Sequence, residues 1–126
     1  MGVPVVALYG SLNAIFNVIL AVRVSGARRR GKKSIGTDGN EVVLLANRVH
    51  GNNAEYVPLA IVMLLVVELA GGSSNVLHAM GGALLLARFA HAFGLPRPAP
   101  NPYRVMGMVG TWLVILGASG YAIYLR

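Results

Sequence analysis

The sequence predicts an all-α integral membrane protein built as a four-helix bundle, and three observations lead there. Of its 126 residues 56% are hydrophobic and only 12% charged, and the mean hydropathy is +0.64, more apolar surface than a soluble domain of this size can hide. The hydrophobic residues run in long blocks, without the alternation of strands or the one-sided stripe of a surface helix. Four such blocks are each about long enough to cross a hydrocarbon core of roughly 30 Å at 1.5 Å per residue. Lipid offers no partners to backbone amides, so blocks of this length must be helices; barrel strands would be shorter and would alternate.

The first block, Pro4 to Val22, predicts a helix over about 3–24. It does not read as a cleavable signal peptide, because the charge order is reversed: Met-Gly-Val-Pro carries no charged side chain, and the bases follow the apolar run at Arg23, Arg28, Arg29, Arg30, Lys32 and Lys33. The net charge of +7 is therefore a topology signal, holding this loop in the cytoplasm, with a secondary capacity to attract anionic lipid or an anionic ligand. A nucleic-acid partner is not expected, since that reading needs cations on a soluble surface with aromatics between them. Gly26, Gly31, Gly36 and Gly39 among these charges predict a flexible connection.

The second block, Glu41 to Leu69, predicts a helix over about 42–71, and the third, Leu69 to Ala87, one over about 75–94. The turn between them, Gly71 to Asn75, contains no Lys or Arg. The fourth block, Val105 to Leu125, predicts a helix over about 103–125, preceded by a loop that carries Arg97 and the prolines 96, 98, 100 and 102. Proline cannot donate an amide bond and disfavours helix in the residue before it, so this loop reads as a stiff break. With basic residues in the first and third loops, both loops face the cytoplasm and both termini lie outside. There is no cysteine, hence no disulfide, thiolate metal site or cysteine nucleophile. No repeat divides the chain, which reads as a single domain over 1–126.

The informative residues are the polar ones inside the apolar blocks. Arg48, Asn52 and Glu55 stand at i, i+4 and i+7, on one side of helix two. Ionisable groups at membrane depth cost about 2.5–3.5 kcal/mol each, so they are expected to face protein or a water-filled cavity. The plain alternative is a structural ion pair, or snorkelling of Arg48. As a ligand site, the set fits a zwitterion: the guanidinium takes a carboxylate by a two-pronged hydrogen bond, and the glutamate takes an ammonium. Arg88 and His91, at i and i+3 near the end of helix three, and Arg104 at the start of helix four are expected at the same depth. Together these residues suit one cytoplasm-facing pocket for an anionic ligand. Asn13 and Asn17 read as bonds across helices, Glu68 as reaching the outer interface, and Gly81, Gly82, Gly107, Gly110, Gly117 and Gly120 as sites of close helix approach. Pro58 removes the amide that would bond the carbonyl of Ala54, opening helix two beside the polar row.

The run Asn47-Arg48-Val49-His50-Gly51-Asn52-Asn53-Ala54-Glu55-Tyr56-Val57-Pro58 resembles the signature of the MAPEG superfamily, the membrane-associated proteins in eicosanoid and glutathione metabolism. The Arg88-x-x-His91 pattern, the length and the four-helix plan extend the resemblance over nearly the whole chain, as in the small bacterial members. It implies a homotrimer in the bacterial inner membrane, with glutathione bound between subunits at the cytoplasmic side. Arg48, Asn52 and Glu55 would contact glutathione from helix two, and Arg88 and His91 would contact or support it from helix three. Arg104 would stabilise the thiolate, and either Arg23 or Arg28 would add a further arginine. Where several family enzymes carry a tyrosine one turn after the His position, this chain has Leu95. The activity implied is that of a glutathione transferase or peroxidase acting on apolar electrophiles from the bilayer. The alternative is a non-catalytic lipid-binding or small transport-type protein. Four-helix cation exchangers need a carboxylate deep in the first helix, and helix one here has none.

Overall fold

The computed structural model describes residues 2–126 and contains four helices, α1 (Pro4–Gly31), α2 (Glu41–Leu69), α3 (Ser74–Gly94) and α4 (Pro102–Leu125). All four are long and apolar enough to cross a membrane. The surface is correspondingly inside-out: Ile15, Ile19, Val22, Leu86, Leu113 and Leu116 are all exposed, as lipid contact requires and water would penalise.

Helix α1 runs seven residues past the expected end at 24. Arg28, Arg29 and Arg30 fall in its last turn, where cations offset the negative end of the helix dipole, so Gly26 and Gly31 belong to the helix and not to a flexible loop. Lys32, at φ 52°, turns the chain out in the left-handed conformation. The short connection is held by a 3.1 Å ion pair between Lys33 and Asp38. Asn40 starts α2 by accepting a hydrogen bond from the amide of Val43, and Asn101 starts α4 by accepting from those of Tyr103 and Arg104.

The N-terminus of α1 is capped from a distance. No side chain at Val3 can do so; instead the Glu68 carboxylate, from the far end of α2, accepts from the amides of Val5 at 2.9 Å and Val6 at 2.7 Å. The expectation that Glu68 merely reaches the interface is thus corrected: it satisfies two of the three donors that the start of α1 leaves open, Pro4 having none, and sits at the positive end of the dipole.

Helix α1 packs on α2 and α3, and α4 on α3 and α2, so α1 and α4 occupy opposite corners. The α3–α4 contact is the most extensive. A Cβ on Gly107 would come within 2.6 Å of the Ala87 carbonyl oxygen and the His91 Cβ, so only glycine admits that approach. Gly120, by contrast, has no neighbour near its missing side chain. Two apolar clusters fill the interior: Val5, Leu64, Val67, Leu77, Leu84 and Ala118 belong to one, and Leu20, Val49, Ala92 and Leu95 form the other. Between them lies a polar layer.

Candidate functional site

The centre of that layer is Arg88, 1% exposed. Its guanidinium bonds two other helices directly. Nε donates to Asn53 Oδ1 at 3.0 Å, Nη1 to Thr111 Oγ1 at 3.2 Å and Nη2 to Asn52 Oδ1 at 2.7 Å. Nη2 also lies 3.4 Å from Nδ1 of buried His91. Asn53 in turn donates through Nδ2 to Asn17 Oδ1 at 3.1 Å, which brings in α1, and the Thr111 hydroxyl donates to the Gly107 carbonyl at 2.7 Å. Among the described residues Arg88 has no carboxylate partner, so its charge is held by neutral acceptors alone. That arrangement satisfies the hydrogen-bonding demand of a buried cation while leaving its field unneutralised.

The network dictates orientations. A guanidinium only donates, so Asn52 and Asn53 must turn their amide oxygens toward Arg88, and His91 must present an unprotonated Nδ1. The amide nitrogen of half-buried Asn52 is then left for a partner on its other side. Arg48 and Glu55 flank it on the exposed face of α2, and neither bonds another described side chain. The structural pairing considered for Arg48 and Glu55 therefore does not occur within the chain. Arg104 is exposed in the first turn of α4, and its backbone amide bonds Asn101 at 3.3 Å.

Of the residues selected by sequence, Asn52, Arg88 and His91 are thus brought together, while Arg48, Glu55 and Arg104 stand exposed around them. Asn53 and Thr111 join the layer without having been singled out. Asn53 lay inside the motif, one 100° step from Asn52, and nothing in its spacing marked it as the inward-facing amide; Thr111 sits in an apolar block where threonine is an ordinary packing residue. Asn17 does bond across helices, as expected, whereas Asn13 donates to the carbonyl of Tyr9 in its own helix at 2.9 Å. Of the two arginines offered by helix one, Arg28 donates to the Gly36 carbonyl at 2.7 Å. Arg23 borders a groove of about 450 Å³ between the basic end of α1 and the start of α2, beside Gly26, Arg30 and Pro96.

A polar layer tied to one buried arginine, with an Arg-Asn-Glu row beside it on α2, now stands on four membrane-length helices. The model of the MAPEG family matches residues 6–124. The chain belongs to the MAPEG family. Among its relatives is the inner membrane protein YecN of Escherichia coli K12, 33% identical over 110 residues, which cover 87% of this chain and 83% of the relative. The same protein from Escherichia coli CFT073 matches to the same extent. As a MAPEG protein the chain is a membrane protein, similar to a protein of the bacterial inner membrane, and the run from Asn47 to Pro58 that carried the resemblance supplies both the inward half of the layer, Asn52 and Asn53, and its outward row.

Proposed function

We propose that this MAPEG protein binds glutathione on the outer face of α2, between neighbouring copies in a homotrimer, and uses it as a transferase or peroxidase on apolar electrophiles. The observation that carries the reading is the exposure of Arg48 and Glu55 on a membrane-length helix. Glu55 is the middle residue of α2, a depth at which a carboxylate facing lipid is costly, so another chain and a polar ligand are needed to cover it. Glutathione complements the row: its carboxylates suit Arg48, its ammonium suits Glu55, and its peptide carbonyls suit the outward amide nitrogen of Asn52. Arg88 acts as a positioning residue, since its own donors are used within the bundle, and its unneutralised charge favours an anion nearby. His91 supports Arg88 from the same helix.

Arg104 is the proposed stabiliser of the glutathione thiolate. A cation beside a thiol lowers its pKa from about 8.5 and raises the reactive fraction at neutral pH. The thiolate sulfur then forms a bond to the electrophilic carbon as the leaving group departs with its electron pair. Leu95 packs into the core with Leu20 and Val49 and supplies no phenol to the ligand, which favours, as a second reading, glutathione or lipid binding without turnover.

Thermal unfolding of the detergent-solubilised protein, titrated with glutathione and paired with conjugation to a chloronitrobenzene, separates these readings. Millimolar glutathione should raise the unfolding midpoint of the native chain and leave Arg48→Ala and Glu55→Ala unmoved. Arg104→Ala should retain the stabilisation while conjugation falls by about tenfold or more. No stabilisation, or stabilisation that survives both α2 variants, overturns the site. Stabilisation without any conjugation selects the second reading.

A further inference from the structure

Beside Pro58, α1 and α2 part to leave a cleft of about 440 Å³ bordered by Gly10, Asn13, Asn17, Ala54, Pro58 and Ile61. Asn13 lies nine residues beyond the start of α1, about 14 Å along the axis and so near the middle of a bilayer. Asn13, Asn17 and Asn53 are the polar side chains that border the cleft, and the rest of the lining is apolar or backbone. Asn13 is fully buried. Its amide nitrogen donates to the Tyr9 carbonyl, which can only accept, so the orientation is fixed, and Oδ1 is left as the one buried side-chain polar atom without a partner among the described residues. The carbonyl of Ala54 is a second acceptor, because Pro58, four residues on, has no N–H to give it. Asn17 contributes a donor. Arg88 turns Asn53 so that its Nδ2 faces Asn17, whose Oδ1 accepts, and the Asn17 amide nitrogen is thereby left over for the cleft.

We propose that this cleft is a binding site for a neutral, hydroxyl-bearing apolar molecule, an alkylphenol or long-chain alcohol, entering sideways from the bilayer. A hydroxyl donates to Asn13 Oδ1 or the Ala54 carbonyl and accepts from Asn17 Nδ2, so it meets both polarities with one atom. A ketone or an ether only accepts and leaves the two carbonyls unmet. A carboxylate or an ammonium would be a bare charge, since no ionisable side chain lines the cleft. Exposed Ala14, Ala54, Pro58 and Val62 form the side from which the molecule enters. This site is separate from the glutathione row and does not depend on it.

The test is photolabelling of the protein in lipid nanodiscs with a diazirine derivative of 4-octylphenol, adducts being mapped by peptide mass spectrometry. Adducts should concentrate on residues 10–17 and 54–62. Excess 4-octylphenol should reduce them by about fivefold or more, whereas the same concentration of its methyl ether, weaker by roughly one hydrogen bond, should not. Asn13→Leu removes the acceptor with the same branching, and Pro58→Ala returns an amide to the carbonyl of Ala54; each should lower labelling by about fivefold, with an unchanged size-exclusion profile. Equal competition by the ether, labelling unchanged in Pro58→Ala, adducts spread evenly over the lipid-facing helices, or no adducts at α1 and α2 because another copy covers the cleft, would each overturn the proposal. Should Asn13→Leu fail to fold, Pro58→Ala carries the test alone.

Discussion

At the scale of single residues, Arg88 decides most. One buried guanidinium sets which way Asn52, Asn53 and, through Asn53, Asn17 are turned, so a cation in α3 fixes donors and acceptors in α1 and α2. Replacing it with leucine leaves three acceptors buried without a donor, each worth about 1–3 kcal/mol. Arg88→Leu should therefore lower the thermal midpoint markedly in the absence of any ligand. Arg88→Lys keeps the charge but replaces a planar fork with a single ammonium, and should fall between leucine and arginine. A midpoint equal to that of the native chain in both variants would show that the layer is not held by this residue. Sequence alone left Arg88 as either a contact of the ligand or a support; its bonds inside the bundle favour the support of Asn52.

At the scale of elements, the helices were legible because their causes are local. Apolar length, the prolines before α4 and the asparagine caps all act within a few residues, and three of the four helices begin and end within two residues of expectation. α1 overran its expected end because the run Arg28–Arg30, read as loop, is favourable in a last turn. The cap on α1 was not legible. Glu68 lies 62 residues from Val6, and no local pattern joins them. Glu68→Ala should loosen only the first turn of α1: amide exchange at Val5 and Val6 should rise by about tenfold, one charge-assisted cap being worth roughly 1.4 kcal/mol, while exchange in the middle of α1 stays as it was. Uniform acceleration along α1 would instead assign Glu68 a packing role.

At the scale of the whole molecule, an exposed charged row on a lipid-crossing helix predicts assembly. Native mass spectrometry from nanodiscs should record three chains of 13.3 kDa; a monomer that binds glutathione would remove the intersubunit site. The absence of cysteine makes sidedness directly measurable. An impermeant maleimide applied to intact spheroplasts should label Ser74→Cys and spare Ser34→Cys if the basic loops face the cytoplasm, and the reverse pattern would invert the topology.

The amino-acid sequence by itself determined the four crossings and the family, because hydropathy and the motif from Arg48 to Pro58 are written in consecutive residues. It also marked Asn52, Arg88 and His91 as unusual, since polar groups stand out against apolar blocks. Only the tertiary structure decided which of these residues face inward, that Asn53 and Thr111 complete the layer, and that Asn13 keeps an unpartnered carbonyl beside a cleft. The reason is physical: a hydrogen bond between helices depends on rotation and depth, and those are set by packing such as Gly107 against His91, which no single segment contains.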